Sequence, residues 1–228
     1  MKFVNFKFII LVVLAITMLH LSCKSKEEAI PWKLLIDGDT TNGWNIKGGK
    51  ATYTVSNGII TGTSVNNTPN TFLATNKHYS NFILELDFKV DPKMNSGIQI
   101  RSNSFPYYRK GEVHGYQVEI DPSKRAWSGG IYDEKRRLWL NPLNNNLEAQ
   151  KAFKQNEWNH YRIEAIGDTL KTWINNIPAS HLIDDKTASG FIGLQVHRIF
   201  PPNKAGTTIS WKNIKILTDN LEAYSTKT

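Results

Sequence analysis

The stretch His114–Glu134, HGYQVEIDPSKRAWSGGIYDE, decides how the rest of the chain is read. Gln117, Glu119 and Asp121 recur at every second residue, with Tyr116, Val118 and Ile120 between them. Alternate side chains of a strand leave on opposite faces. The segment therefore predicts a strand with one apolar face, to be buried against another layer, and one polar face carrying a row of hydrogen-bonding groups. The RAWSGGIYDE that follows sets two aromatics, Trp127 and Tyr132, and a flexible glycine pair beside that row.

Working outward, strand signals recur along the chain and helical ones are nearly absent. Ala51–Val55 and Ile59–Thr63 flank Ser56-Asn57-Gly58, where Asn-Gly is a hairpin turn. Phe82–Val90 alternates, with Leu84, Leu86, Phe88 and Val90 on one face and Glu85, Asp87 and Lys89 on the other. Gly97–Ser102, Gly129–Tyr132, Trp158–Ala165, Thr169–Ile174, Gly190–His197 and Thr208–Leu217 read the same way, with turns at Gly167-Asp168 and Asn175-Asn176. Only Asn146–Phe153 has a helical pattern. Trp44, Trp158, Trp173 and Trp211 sit in strand patterns and are expected in the core. About a dozen strands with tight turns predict a single all-β domain, a β-sandwich or jelly roll, over residues 32–217, followed by a polar tail at 218–228 expected to fray. A row of hydrogen bonders on the open face of such a sheet, flanked by aromatics, is what a carbohydrate site needs.

The N-terminus has a different character. Lys2 and Lys7 precede the apolar run Phe8–Leu19, and Leu21-Ser22-Cys23 follows. This is the pattern of a signal peptide over residues 1–22. Cys23 is the single cysteine of the chain, which excludes an internal disulfide. Its position resembles a bacterial lipoprotein box, with His20 where an aliphatic residue is usual, and makes Cys23 the expected lipidation site and residues 23–31 a tether. Lys24-Ser25-Lys26-Glu27-Glu28 resembles the acidic signal that exports Bacteroidetes lipoproteins to the surface. The chain is thus expected to be an exported cell-envelope lipoprotein, periplasmic or surface-exposed, held to the membrane through that lipid. Lys2 and Lys7 are the only charged residues of the leader, so its loss takes the formal charge from +8 to +6. That excess is spread out and lacks a recognition motif, so no nucleic-acid partner is expected.

Seven blocks in order resemble the 3-keto-disaccharide hydrolase domain family, whose fold is a concanavalin-like jelly roll. They are Leu34–Asn45 (LLIDGDTTNGWN), Asn95–Arg101 (NSGIQIR), Gly115–Asp121 (GYQVEID), Glu157-Trp158-Asn159, Trp173–Asn176, Gly190–His197 (GFIGLQVH) and Trp211–Ile214. Many members carry glutamate and then glutamine in the central strand; here Gln117 precedes Glu119, which displaces the carboxylate by two residues, about 7 Å.

The resemblance implies cleavage of glycosides already oxidised to a ketone at C3. The ketone acidifies the C2 proton, a base removes it, and the C1 substituent leaves by elimination, with water addition completing a net hydrolysis. The expected catalytic set is Glu119 as base or acid, Arg101 holding the enolate or orienting Glu119, and His197 as proton shuttle. Gln117, Asp121, His114, Trp127 and Tyr132 are the expected substrate-binding residues. Each has a plainer reading: Glu119 with Arg101 as a sheet-face ion pair, His197 as a loop cap, His114 as a surface histidine, and Asp121 before Pro122 as a turn former. Two rival functions stay open. A lectin-like module would hold glycan on the same face without cleaving it. A laminarinase-type glycosidase would begin its motif at Glu119-Ile120-Asp121, but Ser123 and Lys124 stand where the second acid is due, leaving Asp133 or Glu134 to supply it. The histidines His78, His114, His160, His181 and His197 form no metal-ligand spacing, so no metal centre is expected beyond a structural calcium on Asp133 or Asp37. The absence of a glycine-rich dinucleotide loop implies that a separate sugar 3-oxidase makes the ketone. The expected partners are that oxidase and the glycan.

Overall fold

Among the described residues, fifteen strands and little else build the domain. They are β1 (Lys33–Leu34), β2 (Trp44–Gly48), β3 (Thr52–Ser56), β4 (Ile59–Thr63), β5 (Thr71–Thr75), β6 (Phe82–Val90), β7 (Ser96–Asn103) and β8 (His114–Ile120), then β9 (Ile131–Glu134), β10 (Leu138–Asn141), β11 (Asn159–Ile166), β12 (Thr169–Ile174), β13 (Ile177–Ile183), β14 (Phe191–Val196) and β15 (Thr208–Leu217). The computed structural model describes residues 30–200 and 205–226. The expected signal peptide and Cys23 lie outside the described residues.

Two antiparallel sheets stack face to face as a jelly-roll sandwich. One runs β13–β12–β11–β6–β15–β4–β3, with β1 beside β15; the other runs β10–β9–β8–β7–β14–β5–β2. The alternation read from the sequence fixes which side chains meet between them. Leu84, Leu86 and Phe88 of β6 and Tyr116, Val118 and Ile120 of β8 are all fully buried and share one core cluster. Burial of each such side chain contributes roughly 1.5–3 kcal/mol. The turns obey the residues that make them: Asn57 and Gly58 join β3 to β4 at φ 50° and 71°, and Asn175 and Asn176 join β12 to β13 at φ 48° and 68°. These are the left-handed pairs that a two-residue hairpin requires.

The short helix α1 (Leu147–Ala152) forms as expected, its first turn capped by Asn146, whose side chain accepts from the Ala149 N–H. Four expectations shift. Strands β1, β2, β5, β10 and β13 join those read from the sequence; Pro178 in β13 weakens its strand signal, and that strand lies at a sheet edge, where proline is tolerated. The strand expected at Gly129–Tyr132 begins two residues later, because Gly129 takes φ 94° in the turn. Trp44 and Trp211 are core residues, whereas Trp158 and Trp173 are only half-buried; Trp173 alternates with Leu170, Thr172 and Ile174 and so takes the outer face of β12. The tail is held rather than frayed up to Thr226: Leu221 and Tyr224 pack with Ile83 and Leu217, and Glu164 accepts the Thr226 N–H.

Candidate functional site

The outer face of the smaller sheet is polar because β8 alternates, and it is recessed because two glycines leave room. Gln99 of β7 faces Gln117 of β8, and Gly97 faces Glu119. A Cβ on Gly97 would lie 2.5 Å from the Gln117 side chain, and one on Gly193 of β14 would meet Gln99 at 3.2 Å. The freed space holds a buried amide ladder. Gln99 and Gln195 both donate to Gln117 Oε1 at 2.7 Å, and Gln117 Nε2 donates to Glu119 Oε2 at 2.8 Å. Asn95 Nδ2 donates to the other carboxylate oxygen, Oε1, at 2.6 Å. Gln195 Oε1 is buried without a partner.

Glu119 is therefore fixed at every atom that matters. Its N–H donates to Gly130 O, and its carbonyl accepts from Gly129 N–H, both at 2.9 Å, and from the Tyr161 hydroxyl at 2.5 Å. Burial pushes its carboxyl up to about 7, against the opposing hydrogen bonds from Asn95 and Gln117. A carboxyl poised near neutrality, only 4 % exposed, on the floor of a cavity of about 580 Å³, is suited to proton transfer.

Gln117, Glu119, Tyr132 and His197 of the expected set line this cavity. His197 is half-buried; burial lowers its pKa, the neighbouring Arg198 and Lys135 charges lower it further, and Nδ1 faces Arg198 O at 2.7 Å. A neutral imidazole donating through Nδ1 leaves Nε2 as an acceptor. Burial raises the Tyr132 hydroxyl, as do the charges of Glu134 and Glu119, so it stays a donor at neutral pH.

Arg101 stands apart from this group. The register of β7 slips between Ile100 and Asn103, and Arg101 itself takes φ 46°, so the alternation that would have aimed it at Glu119 is broken. Its guanidinium instead crosses to the ends of β6 and β11, donating to Ser80 O, Gly167 O and Asn81 Oδ1. Arg125 takes the place beside Glu119. Its Nε meets Asp121 Oδ2 at 2.7 Å and its Nη2 meets Glu119 Oε1 at 3.4 Å. It lies beside the edge-to-face pair of Trp127 and Trp139, 4.9 and 4.8 Å from their ring centres.

The remaining expectations divide. Trp139 lines the cavity and meets Tyr132 edge-on; Trp127 stands behind it as a support. Asp121 does not line the cavity. Its carboxylate accepts from Ser123 N–H and Trp127 N–H and anchors Arg125, so it shapes the loop. His114 is packed between Phe105 and Tyr108 with Nδ1 on Glu112 O. Asp133 is fully buried on the opposite face of β9, with its oxygens on Arg136 and Arg137 at 2.6 Å, which leaves it free neither for calcium nor as a second acid. Glu134 lines the cavity, raised by burial against Lys135 and Asn70. No group of three acidic, histidine or cysteine side chains that could hold a metal ion occurs among the described residues.

Sequence reasoning passed over Arg125, Asn95 and Gln195. The signal for Gln195 was present, since it alternates with Leu194 and Val196; Arg125 and Asn95 come from loops, where no periodicity marks them.

Residues 31–217 match the family described as the 3-keto-alpha-glucoside-1,2-lyase-like domain. The chain belongs to this family. No curated protein sequence matches it. Among solved structures it is similar to a candidate glycosyl hydrolase from Parabacteroides distasonis, at TM-score 0.58 and 17 % identity over 82 % of this chain and 93 % of that one. It is also similar to the carbohydrate-binding module CBM66 from Bacillus subtilis, at TM-score 0.50 and 17 % identity over 75 % and 93 %. A Bacillus subtilis protein of unknown function with a galectin-like fold aligns at TM-score 0.56 and 11 % identity over 78 % and 90 %. At such identities these likenesses establish the sandwich alone.

Proposed function

We propose that the domain cleaves 3-keto-glycosides by removing the C2 proton and expelling the C1 substituent, with Glu119 as the base. The observation that carries this reading is the Glu119 carboxyl itself: buried, held on both oxygens, and raised to about 7 at the floor of an open polar cleft. In the first step the C2–H bond breaks, its proton goes to Glu119, and the electron pair forms the C2–C3 enolate. Arg125, within reach of Glu119, faces the charge that develops on the C3 oxygen, and its contacts with the Trp127 and Trp139 rings keep it oriented. In the second step the ketone reforms, C1–C2 becomes a double bond, and the C1–O bond breaks. The leaving oxygen takes the proton from Glu119, whose pKa near 7 lets it both accept and return a proton. Tyr132 donates to the sugar and His197 accepts from it; Gln117 keeps Glu119 in place. Water adding across the new double bond would turn elimination into net hydrolysis.

The same reading has the domain exported, carried on a lipid at Cys23, and supplied with oxidised sugar by a separate 3-oxidase. A second reading, glycan binding without cleavage, draws on the aromatic wall of Tyr132 and Trp139 and on the likeness to CBM66. The test is incubation with paired disaccharides, native and 3-oxidised, following release of the aglycone sugar. Cleavage of the oxidised member alone, abolished by Glu119→Gln, is the expected result. Cleavage of the native member would favour a two-carboxylate glycosidase, and binding without cleavage would favour the lectin-like module.

A further inference from the structure

The rim of the cleft carries more positive charge than this chemistry needs. Five arginine and lysine side chains line it against two glutamates, Glu119 and Glu134, and burial favours the neutral form of both acids. Three of the five cations are already answered: Arg125 by Asp121, Arg136 by Asp133, and Lys135 by Glu112 at 3.5 Å. Arg109 and Arg198 have no carboxylate partner among the described residues. Their guanidinium groups lie near the rings of Tyr108 and Phe200, at 5.9 and 5.5 Å, and Arg198 also acts through space on Glu134, whose charged form it favours against burial. Exposed lysines elsewhere, such as Lys93 and Lys124, also lack a carboxylate partner among the described residues, but Arg109 and Arg198 are set on the cleft itself.

The two arginines are also held toward the cleft. Arg109 and Lys110 both adopt left-handed backbone, φ 45° and 58°, a conformation non-glycine residues avoid unless the surroundings impose it. Here the Tyr108 hydroxyl donates to Lys135 O at 2.9 Å and ties that turn to the loop after β9. Arg198 is set by its N–H on Asn70 Oδ1 at 2.9 Å, while Asn70 Nδ2 reaches Glu134. Neutral sugars are recognised by donors, acceptors and stacking. Guanidinium groups without counter-charges at the mouth of a cleft serve an anion, which they bind through forked hydrogen bonds.

We infer that the glycoside taken by this cleft carries an anionic group, a carboxylate or a sulfate ester, seated between Arg109 and Arg198. The inference rests on the proposed function for the bond that is broken, and on the rim for the class of substrate. The experiment compares three 3-oxidised disaccharides that differ in one sugar: neutral, uronate and sulfate ester. kcat/KM is measured at low and high salt for the parent and for Arg109→Gln/Arg198→Gln, with thermal melts confirming that both fold. An exposed guanidinium pairing is modest singly, so the two together are expected to give about a ten-fold preference for an anionic substrate. That preference should shrink at high salt and fall toward unity in the double variant. Which anion gains more identifies the source of the charge. Equal kcat/KM across the three, or a preference that survives the double substitution, overturns the inference. If no oxidised disaccharide is cleaved, the proposed reaction fails, and calorimetry with the native uronate, sulfated and neutral disaccharides then decides the inference alone: binding of an anionic member over the neutral one, lost in the double variant, supports it, and indifference to charge overturns it.

Discussion

Glu119→Gln should inactivate the domain and also stabilise it, by an amount that grows with pH. The carboxyl is raised from 4.5 to about 7 in the folded state, chiefly by burial. Between those two values the folded protein holds a proton that the unfolded chain has lost. Stability therefore falls as pH rises through this window and stays lowered above it. At 1.36 kcal/mol per pKa unit, the change across the window is about 3 kcal/mol. Glutamine carries no charge and escapes this loss. It can also be accommodated: its oxygen can accept from Gln117, whose own amide is locked by Gln99 and Gln195, while its NH₂ faces Asn95, whose amide can turn over. Any fixed cost of that rearrangement is the same at every pH. The assay is denaturant unfolding of both proteins from below pH 4.5 to above pH 7, with the difference in stability plotted against pH. The variant should gain about 3 kcal/mol relative to the parent from one end to the other. A difference that stays flat would refute the reasoning, because it would mean that Glu119 titrates like an exposed glutamate and that the cleft does not tune it.

Two further outcomes follow from the geometry. Gly97→Ala would drive a methyl into Gln117 at 2.5 Å and displace the donor that holds Glu119 Oε2. The expected stability loss is about 1–3 kcal/mol. Losing a hydrogen bond that lowers the Glu119 pKa should also move the acid limb of the pH–rate profile to higher pH, and an unmoved limb would count against the amide ladder as the tuning device. Arg101→Met should cost about 2–4 kcal/mol in unfolding experiments through the loss of the three hydrogen bonds made by its buried guanidinium, with kcat per folded molecule retained. A stable but inactive variant would return Arg101 to the chemistry.

The fold was legible because its signal is local. Tyr116, Val118 and Ile120, like Leu84, Leu86 and Phe88, announce a buried face through nothing more than alternation, and all six are fully buried. Asn57-Gly58 and Asn175-Asn176 announce hairpins through the backbone conformations they tolerate. Strands β5 and β10 were missed for the converse reason. β5 is buried on both faces and does not alternate, and β10 spans four residues at the edge of its sheet.

The site was half legible. Gln117 and Glu119 share a face by the same period-two rule, and Tyr132 joins them because it pairs with Gln117 across β8 and β9. Arg101 obeys that rule on paper and breaks it in space, since one bulge and one left-handed residue are enough to turn a side chain from the sheet face to the sheet edge. Arg125 obeys no periodicity, yet the loop held by Asp121 and Ser128 folds it back onto Glu119.

By itself, then, the sequence determined the sandwich and the polar row on β8, because strand alternation is a property of neighbouring residues. Only the tertiary structure decided which cation stands beside the carboxylate and how far burial shifts that carboxylate toward neutrality. Both depend on loops and strands distant in the chain converging on one point, where the low dielectric and the hydrogen-bond partners of Glu119 are set together.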